Sequence, residues 1–374
     1  METPRDIGLY LHIPFCKRKC VYCDFPSYAG CEDKMPVVVR AMQEEIRHWA
    51  ERLPNARVQT LYVGGGTPSL LPPLLMKSLL QTAHEAFSFA EDAECSCEMN
   101  PGTVTDDFLE AIVQGGINRV SLGAQSADER LLRLLGRIHT FADVRHAVGL
   151  CRAHGIDNIN LDLMLGLPTQ TVEDVDKTLQ AFLSLSPTHM SCYGLIVEDG
   201  TVMQRQVNSG AWVLPDEDAE RAMYELCRST LEKHGLLQYE ISNFALPTYE
   251  CRHNADCWKR REYIGIGCSA CGFIGDVRYR NPDTIDSYLR GDKPEETNLT
   301  PEDARFESVM LGLRMTAGIR DADFFTMHGL TLRQAFGKKL DKPIQDRLLT
   351  FEDGVLRLTR RGMDVQNSVL VELL

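Results

Sequence analysis

Leu9-Tyr10-Leu11-His12-Ile13-Pro14-Phe15 runs straight into Cys16-Lys17-Arg18-Lys19-Cys20-Val21-Tyr22-Cys23, and this junction decides how the rest of the chain is read. An apolar run that ends in a loop of closely spaced cysteines is a strand presenting soft thiolate donors, and a thiolate cluster of this density is a metal site. Three ligands rather than four is the informative feature. Structural zinc sites are closed by four protein ligands, whereas an open position implies chemistry at the metal. Iron–sulfur clusters are held by cysteine thiolates, and a cluster with one iron left free has room for a small chelating molecule. A zinc site completed by His12 or by a distant cysteine is the alternative. Lys17, Arg18 and Lys19 either help keep the thiolates ionised or form a solvated surface.

Working outward, further apolar runs recur at Thr60–Val63, Cys95–Met99, Arg119–Gln125, Asn158–Leu165 and His189–Val197. Amphipathic segments separate them: Val37–Leu53, Ser69–Ala86, Thr105–Gln114, Phe141–His154 and Val172–Leu185. Strands alternating with helices predict right-handed βαβ units and a parallel sheet. Thr105-Asp106-Asp107 and Thr171-Val172-Glu173-Asp174 are helix-start signals. Six units make an α/β fold of the partial (β/α)6, TIM-type barrel kind, two units short of closure. In such sheets function collects at the carboxyl ends of the strands. The unusual residues lie there: the three cysteines, then Gly64-Gly65-Gly66-Thr67-Pro68, Glu98-Met99-Asn100-Pro101 and Gln125, with Asp162 inside the fifth run.

Composition narrows the class. The chain has 374 residues, 44% hydrophobic and 25% charged, and a net charge of −13. That balance argues against a nucleic-acid or anionic-membrane surface, and no apolar run approaches the roughly 20 residues that span a bilayer. Thirteen cysteines beside a start, Met1-Glu2-Thr3-Pro4-Arg5-Asp6, that lacks the features of a secretion signal fit a reducing, cytoplasmic setting rather than a disulfide framework.

Beyond about Leu214 the alternation ends. Asp216–His234 reads as a long helix capped by Gly235, Leu237–Asn243 and Tyr263–Gly267 as short strands, and Pro301–Met315 as a helix. Leu348–Thr350 with Val355–Leu358 reads as a hairpin, followed by one last helix, Thr359–Leu373. The expected division is a barrel domain over 1–235 and a smaller α+β, winged-helix-like domain over 236–374, with a lid or docking role.

CxxxCxxC after a first strand resembles the radical S-adenosylmethionine superfamily. Tyr10–Cys16, Tyr22-Cys23-Asp24-Phe25, Gly64–Ser69, Ser121–Gln125, Leu135–His139, Asp162–Pro168, Tyr239–Ser242, Ile264–Cys268 and Asn367–Leu370 narrow the resemblance to its HemN/HemW group. The resemblance implies a 4Fe–4S cluster on Cys16, Cys20 and Cys23, with S-adenosylmethionine chelating the fourth iron. It carries the nucleoside contacts onto Tyr10, Tyr22, Gly65, Gly66, Thr67, Glu98, Gln125, Arg137 and Asp162. Glycines would let the backbone approach the ligand closely. Glu98, Gln125, Arg137 and Asp162 together suit ribose hydroxyls and a carboxylate.

Within the group, the dehydrogenase branch carries a fourth cysteine where this chain has Phe25, so the resemblance points to the haem-chaperone branch. It implies haem as ligand, a haem-acceptor protein as partner, and an electron donor such as flavodoxin or ferredoxin. The branch signature His-Asn-x-x-Tyr-Trp stands here as His253-Asn254-Ala255-Asp256-Cys257-Trp258, and Cys271 replaces a usual histidine. His253 is the candidate axial haem ligand, against a plain structural histidine. A second metal site among Cys251, Cys257, Cys268 and Cys271 is a further expectation. The other functional class left open is a radical enzyme acting on a tetrapyrrole.

Overall fold

Nine residues from Arg5 to Ile13 form β1, and the expected alternation follows: α1 (Met35–Arg52), β2 (Ala56–Gly65), α2 (Pro73–Ala86), β3 (Ser88–Met99), α3 (Asp106–Gln114), β4 (Arg119–Gln125), α4 (Glu129–Leu134), α5 (Phe141–Ala153), β5 (Asn158–Leu165), α6 (Val172–Leu183) and β6 (His189–Gly194). This computed structural model describes residues 4–374, so the first three residues of the N-terminal reading lie outside the described part. Each neighbouring pair from β1 to β6 is parallel. Side chains alternate between the two faces of a strand. Leu9, Leu11, Leu61, Val63, Val120, Leu122, Ile159 and Leu161 are buried in the main core. The intervening positions, among them Tyr62, Glu98, Arg119, Ser121, Asn160, Asp162, Ser191 and Tyr193, line an interior cavity. Thr140 and Thr171 close capping boxes with Asp143 and Asp174, fixing the starts of α5 and α6 at about 1 kcal/mol each.

The sheet is larger than six strands. After α7 (Val202–Asn208) and α8 (Glu217–Lys233) come β7 (Leu237–Gln238), β8 (Asn243–Ala245), α9 (Arg252–Trp258), β9 (Tyr263–Ile266), β10 (Cys271–Ile274), β11 (Val277–Arg280), α10 (Ile285–Leu289) and β12 (Glu295–Asn298). All the strands among them join one twelve-stranded sheet in the order β12-β11-β10-β9-β1-β2-β3-β4-β5-β6-β8-β7. The stretch expected as one strand, Leu237–Asn243, is split by a turn holding Glu240. β9 runs parallel to β1, pairing Gly8–Leu11 with Tyr263–Ile266. The main core accordingly reaches Tyr288, and a second core runs from Val309 to Leu373. The 235/236 division thus falls inside a continuous sheet.

The second core surrounds α11 (Pro301–Gly312) and a three-stranded sheet of β13 (Ile319–Arg320), β14 (Leu349–Glu352) and β15 (Val355–Leu358). The single terminal helix expected over 359–373 is two, Arg360–Asp364 and Gln366–Leu373, because Val365 leaves helical geometry at φ −126°. No helix of the described residues is long and apolar enough to cross a membrane.

Candidate functional site

Backbone hydrogen bonds fix the cysteine loop on every side. Cys16 N donates to Tyr28 O and Tyr28 N to Pro14 O, while Gly66 N and Thr67 N donate to Ile13 O and Phe15 O. At the far end Val21 N donates to Leu135 O, and Val21 O accepts from Met203 N. The three cysteines are therefore held half-buried at the rim of the barrel cavity, whose volume is about 580 Å³.

Each cysteine has a donor beside it. Thr67 Oγ1 lies 3.5 Å from Cys16 Sγ, Arg137 Nη1 lies 3.5 Å from Cys20 Sγ, and the Phe25 backbone N–H serves Cys23. Burial pushes the Cys23 thiol up to about 11, so a metal bound there displaces a proton. Such donors suit thiolates carrying cluster charge. Gly66 is needed for close approach: a Cβ there would stand 2.6 Å from Phe15 O and 3.0 Å from Cys16 Sγ. Gly65, at φ +108°, turns the strand end so that its N–H donates to Glu98 Oε2 at 3.2 Å.

His12 takes no part in a metal site. Its Nε2 faces Pro26 O at 2.9 Å, an acceptor, so that nitrogen carries the proton, and Nδ1 accepts from Tyr10 Oη at 2.9 Å. Both ring nitrogens are in use, and the zinc alternative completed by His12 is not formed.

Below the cysteines the strand ends converge as the sequence suggests. Glu98 accepts from Tyr62 Oη at 2.8 Å, and burial raises its carboxyl to about 7. Asp162, also raised by burial, accepts from Asn160 Nδ2 at 2.7 Å. Gln125 sits in the left-handed region at φ +65°, unusual for a residue with a side chain, and its Oε1 accepts from Tyr193 Oη at 2.9 Å. Arg137 is anchored to Gly123 O at 2.6 Å. Tyr22, Gly65, Gly66, Thr67, Glu98, Gln125, Arg137 and Asp162 all line the same cavity. Tyr10 stands behind that surface, its hydroxyl spent on His12.

His253 sits away from the cavity surface. It is 5% exposed on α9, its Nδ1 is bonded to Thr60 Oγ1 at 2.9 Å, and its ring stacks on Tyr62 at 5.1 Å. Burial holds its pKa down at about 4. It is packed within the aromatic wall rather than on the cavity surface, which is the setting of a structural histidine. The expected second metal site is not formed either. The Cys251 and Cys268 thiols are turned apart, to Glu94 Oε1 and Pro282 O.

Several lining residues were missed in the sequence. Arg119, Ser121, Asn160, Ser191 and Tyr193 occupy lumen positions, and Asn243, Trp258 and Arg314 come from the second half of the chain. Polar residues at every second place of buried strands, as in Asn160–Asp162 and Ser191–Tyr193, were the available signal. Nothing local marks Arg314. Glu94 explains how α9 reaches the lumen: its carboxylate accepts from the N–H groups of Arg252 and His253 at 3.0 and 3.1 Å, capping the helix across the barrel.

Comparison with known proteins bears on the same features. Residues 10–182 match the family model described as radical SAM superfamily, and residues 299–365 the one described as HemN C-terminal domain. The heme chaperone HemW of Bacillus subtilis is 34% identical over 96% of this chain and 97% of its own. That of Escherichia coli is also 34% identical, over 97% of each. The solved structure of the Escherichia coli coproporphyrinogen III oxidase HemN covers 99% of this chain and 90% of its own with a TM-score of 0.87 at 24% identity, a likeness of fold.

Proposed function

The chain belongs to the radical SAM superfamily, among the relatives of the heme chaperone HemW, and from that premise we propose that it binds haem and passes it to an acceptor protein. The observation that carries this reading is likeness to chains named haem chaperones along nearly the whole length, both cores included. The site supports it. Phe25, where dehydrogenase relatives carry a further thiol, is 62% exposed at the cavity mouth and leaves the loop with three ligands. An enzyme acting on a tetrapyrrole is not favoured, because the likeness to HemN is one of fold alone.

The family implies a 4Fe–4S cluster and S-adenosylmethionine, and the residues present fit both: three half-buried cysteines with adjacent donors stand over a cavity rimmed by glycine backbone. Cys16, Cys20 and Cys23 would hold the cluster. Gly65, Gly66 and Thr67 would receive the methionine end, with Tyr10 supporting them through His12. Glu98, Gln125 and Asp162 would orient the ribose, while Tyr22 and Arg137 close the side. A bound cluster would supply one-electron reduction at the sulfonium, or cofactor binding would serve as a structural signal alone. Lys17, Arg18 and Lys19 suit an acidic one-electron donor such as flavodoxin or ferredoxin.

The test is a haem titration of the cluster-reconstituted chain under anaerobic conditions. The expected result is a saturable Soret shift, and its absence sinks the chaperone reading.

A further inference from the structure

Seven buried side-chain nitrogen or oxygen atoms lack a hydrogen-bond partner among the described residues, and five belong to residues that line the barrel cavity. These are Arg119 Nε, Arg137 Nε, Trp258 Nε1, Arg314 Nε and Asn243 Oδ1. Four of the five are N–H donors. Leaving a buried donor unpaired is costly, and leaving a buried cation unpaired more so, which makes such a concentration an indication of a missing acceptor.

Arg119 is the sharpest case. It is 2% exposed at the start of β4, and its one side-chain hydrogen bond, to Ser96 Oγ, is 3.4 Å long. The carboxylates around the lumen have their own partners. Glu94 takes the α9 amides, Glu98 takes Tyr62 and Gly65, and Asp162 takes Asn160. Glu240 takes Arg314 at 3.1 Å together with Ser242 N and Asn243 Nδ2. Among the described residues the one side-chain partner of Arg119 is Ser96, and Glu94, Glu98 and Asp162 act on it through charge without bonding to it. On the wall built by the second half of the chain, the Arg314 guanidinium stacks on the Trp258 ring at 4.3 Å. That stacking pre-orders Trp258 Nε1 and Arg314 Nε without satisfying either.

We infer that Arg119, Trp258 and Arg314 form an anion-accepting subsite inside the barrel that receives a carboxylate arm of the bound ligand, on the haem reading one of its two propionates. Arg119 supplies the charge and Trp258 a directional donor, and Arg314 is already neutralised by Glu240. The subsite shares the cavity with the residues assigned to S-adenosylmethionine, and Arg119 acts electrostatically on Glu98 and Asp162 there. It makes Arg119, Trp258 and Arg314, rather than His253, the residues that select the ligand.

The experiment compares haem with its dimethyl ester, which lacks the carboxylates but keeps the iron and the ring. Both are titrated against the reconstituted chain, Trp258→Phe and Arg119→Gln. A charge-assisted pair predicts that wild type prefers the acid by about ten- to hundredfold. Arg119→Gln should shrink that ratio towards one. Trp258→Phe removes only the Nε1–H and keeps the ring, so it tests the subsite if Arg119→Gln fails to fold; it should shrink the ratio several-fold. Saturable binding with equal affinity for acid and ester, or a ratio unchanged in Trp258→Phe, overturns the subsite while leaving the haem reading standing. No saturable binding of either compound overturns the haem reading, and the propionate assignment with it.

Discussion

Arg137 ties Cys20 to the opposite side of the barrel: one terminal nitrogen lies 3.5 Å from Cys20 Sγ while the other donates to Gly123 O at 2.6 Å. One side chain thereby sets both the charge near the Cys20 sulfur and the position of the loop over β4.

Arg137→Lys should retain a positive charge but lose this two-ended grip. A charged hydrogen bond is worth about 1.5–3 kcal/mol. The expected outcome is a cluster lost several-fold faster after reconstitution, with circular dichroism unchanged. Iron per chain followed over time would check it, and iron retention equal to wild type would refute the bridging role.

Gly66→Ala forces a methyl to 2.6 Å from Phe15 O and 3.0 Å from Cys16 Sγ. Overpacking of this kind costs about 1–3 kcal/mol. Because Phe15 and Cys16 begin the loop, the strain should appear as poor cluster incorporation at nearly normal secondary structure. Absorbance of the reconstituted protein near the cluster band measures it.

His12→Ala should keep iron at the wild-type ratio, since neither ring nitrogen faces a metal. It should still lower stability by about 1–3 kcal/mol, because the Tyr10 hydroxyl and the Pro26 carbonyl lose their partner in a buried place. Urea unfolding beside an iron assay separates the two effects. Loss of iron without loss of stability would restore a ligand role.

Glu98 sets a pH dependence whose sign follows from linkage. Its carboxyl sits at about 7 when folded and 4.5 ordinarily, so the folded chain keeps a proton that the unfolded chain releases. Its contribution is fully present below about 4.5 and is lost as pH rises through 7. The loss is at most about 3 kcal/mol. Glu98→Gln should flatten that slope and, above pH ~7, raise the stability of the ligand-free chain. Denaturant midpoints across this range decide it.

His253→Phe should leave haem affinity within about threefold while costing about 1–3 kcal/mol through the unpaired Thr60 hydroxyl. Soret titration and denaturation on one preparation test both halves of the expectation.

The barrel was legible because its information is local. β-branched runs, threonine caps and the cysteine spacing each act within a few residues, and β4 and β5 have the bounds read for them. The strand-end residues followed from period-two alternation. What stayed hidden is long-range. β9 was readable as a short strand but its pairing with β1 was not, and β10 to β12, four residues each, lack a strong apolar pattern because they are stabilised by the strands beside them. α9 is capped by Glu94, more than 150 residues away, and no sequence window contains both. For that reason the motif left His253 open between ligand and structural histidine when it is part of a packed wall, and Arg314 was only a residue near the end of the helix read over Pro301–Met315.

The pairing of β1 with β9 sets a timetable for synthesis. One edge of β1 is matched by β2 soon after both leave the ribosome, but its other edge waits for Tyr263–Ile266. Until then the strand that carries the cysteines is a bare edge, open to mispairing. At about 5–20 residues per second, the intervening 250 residues take roughly 12–50 s. The strand that leads into the cysteine loop is thus secured along one edge early and along the other only after β9 has been made.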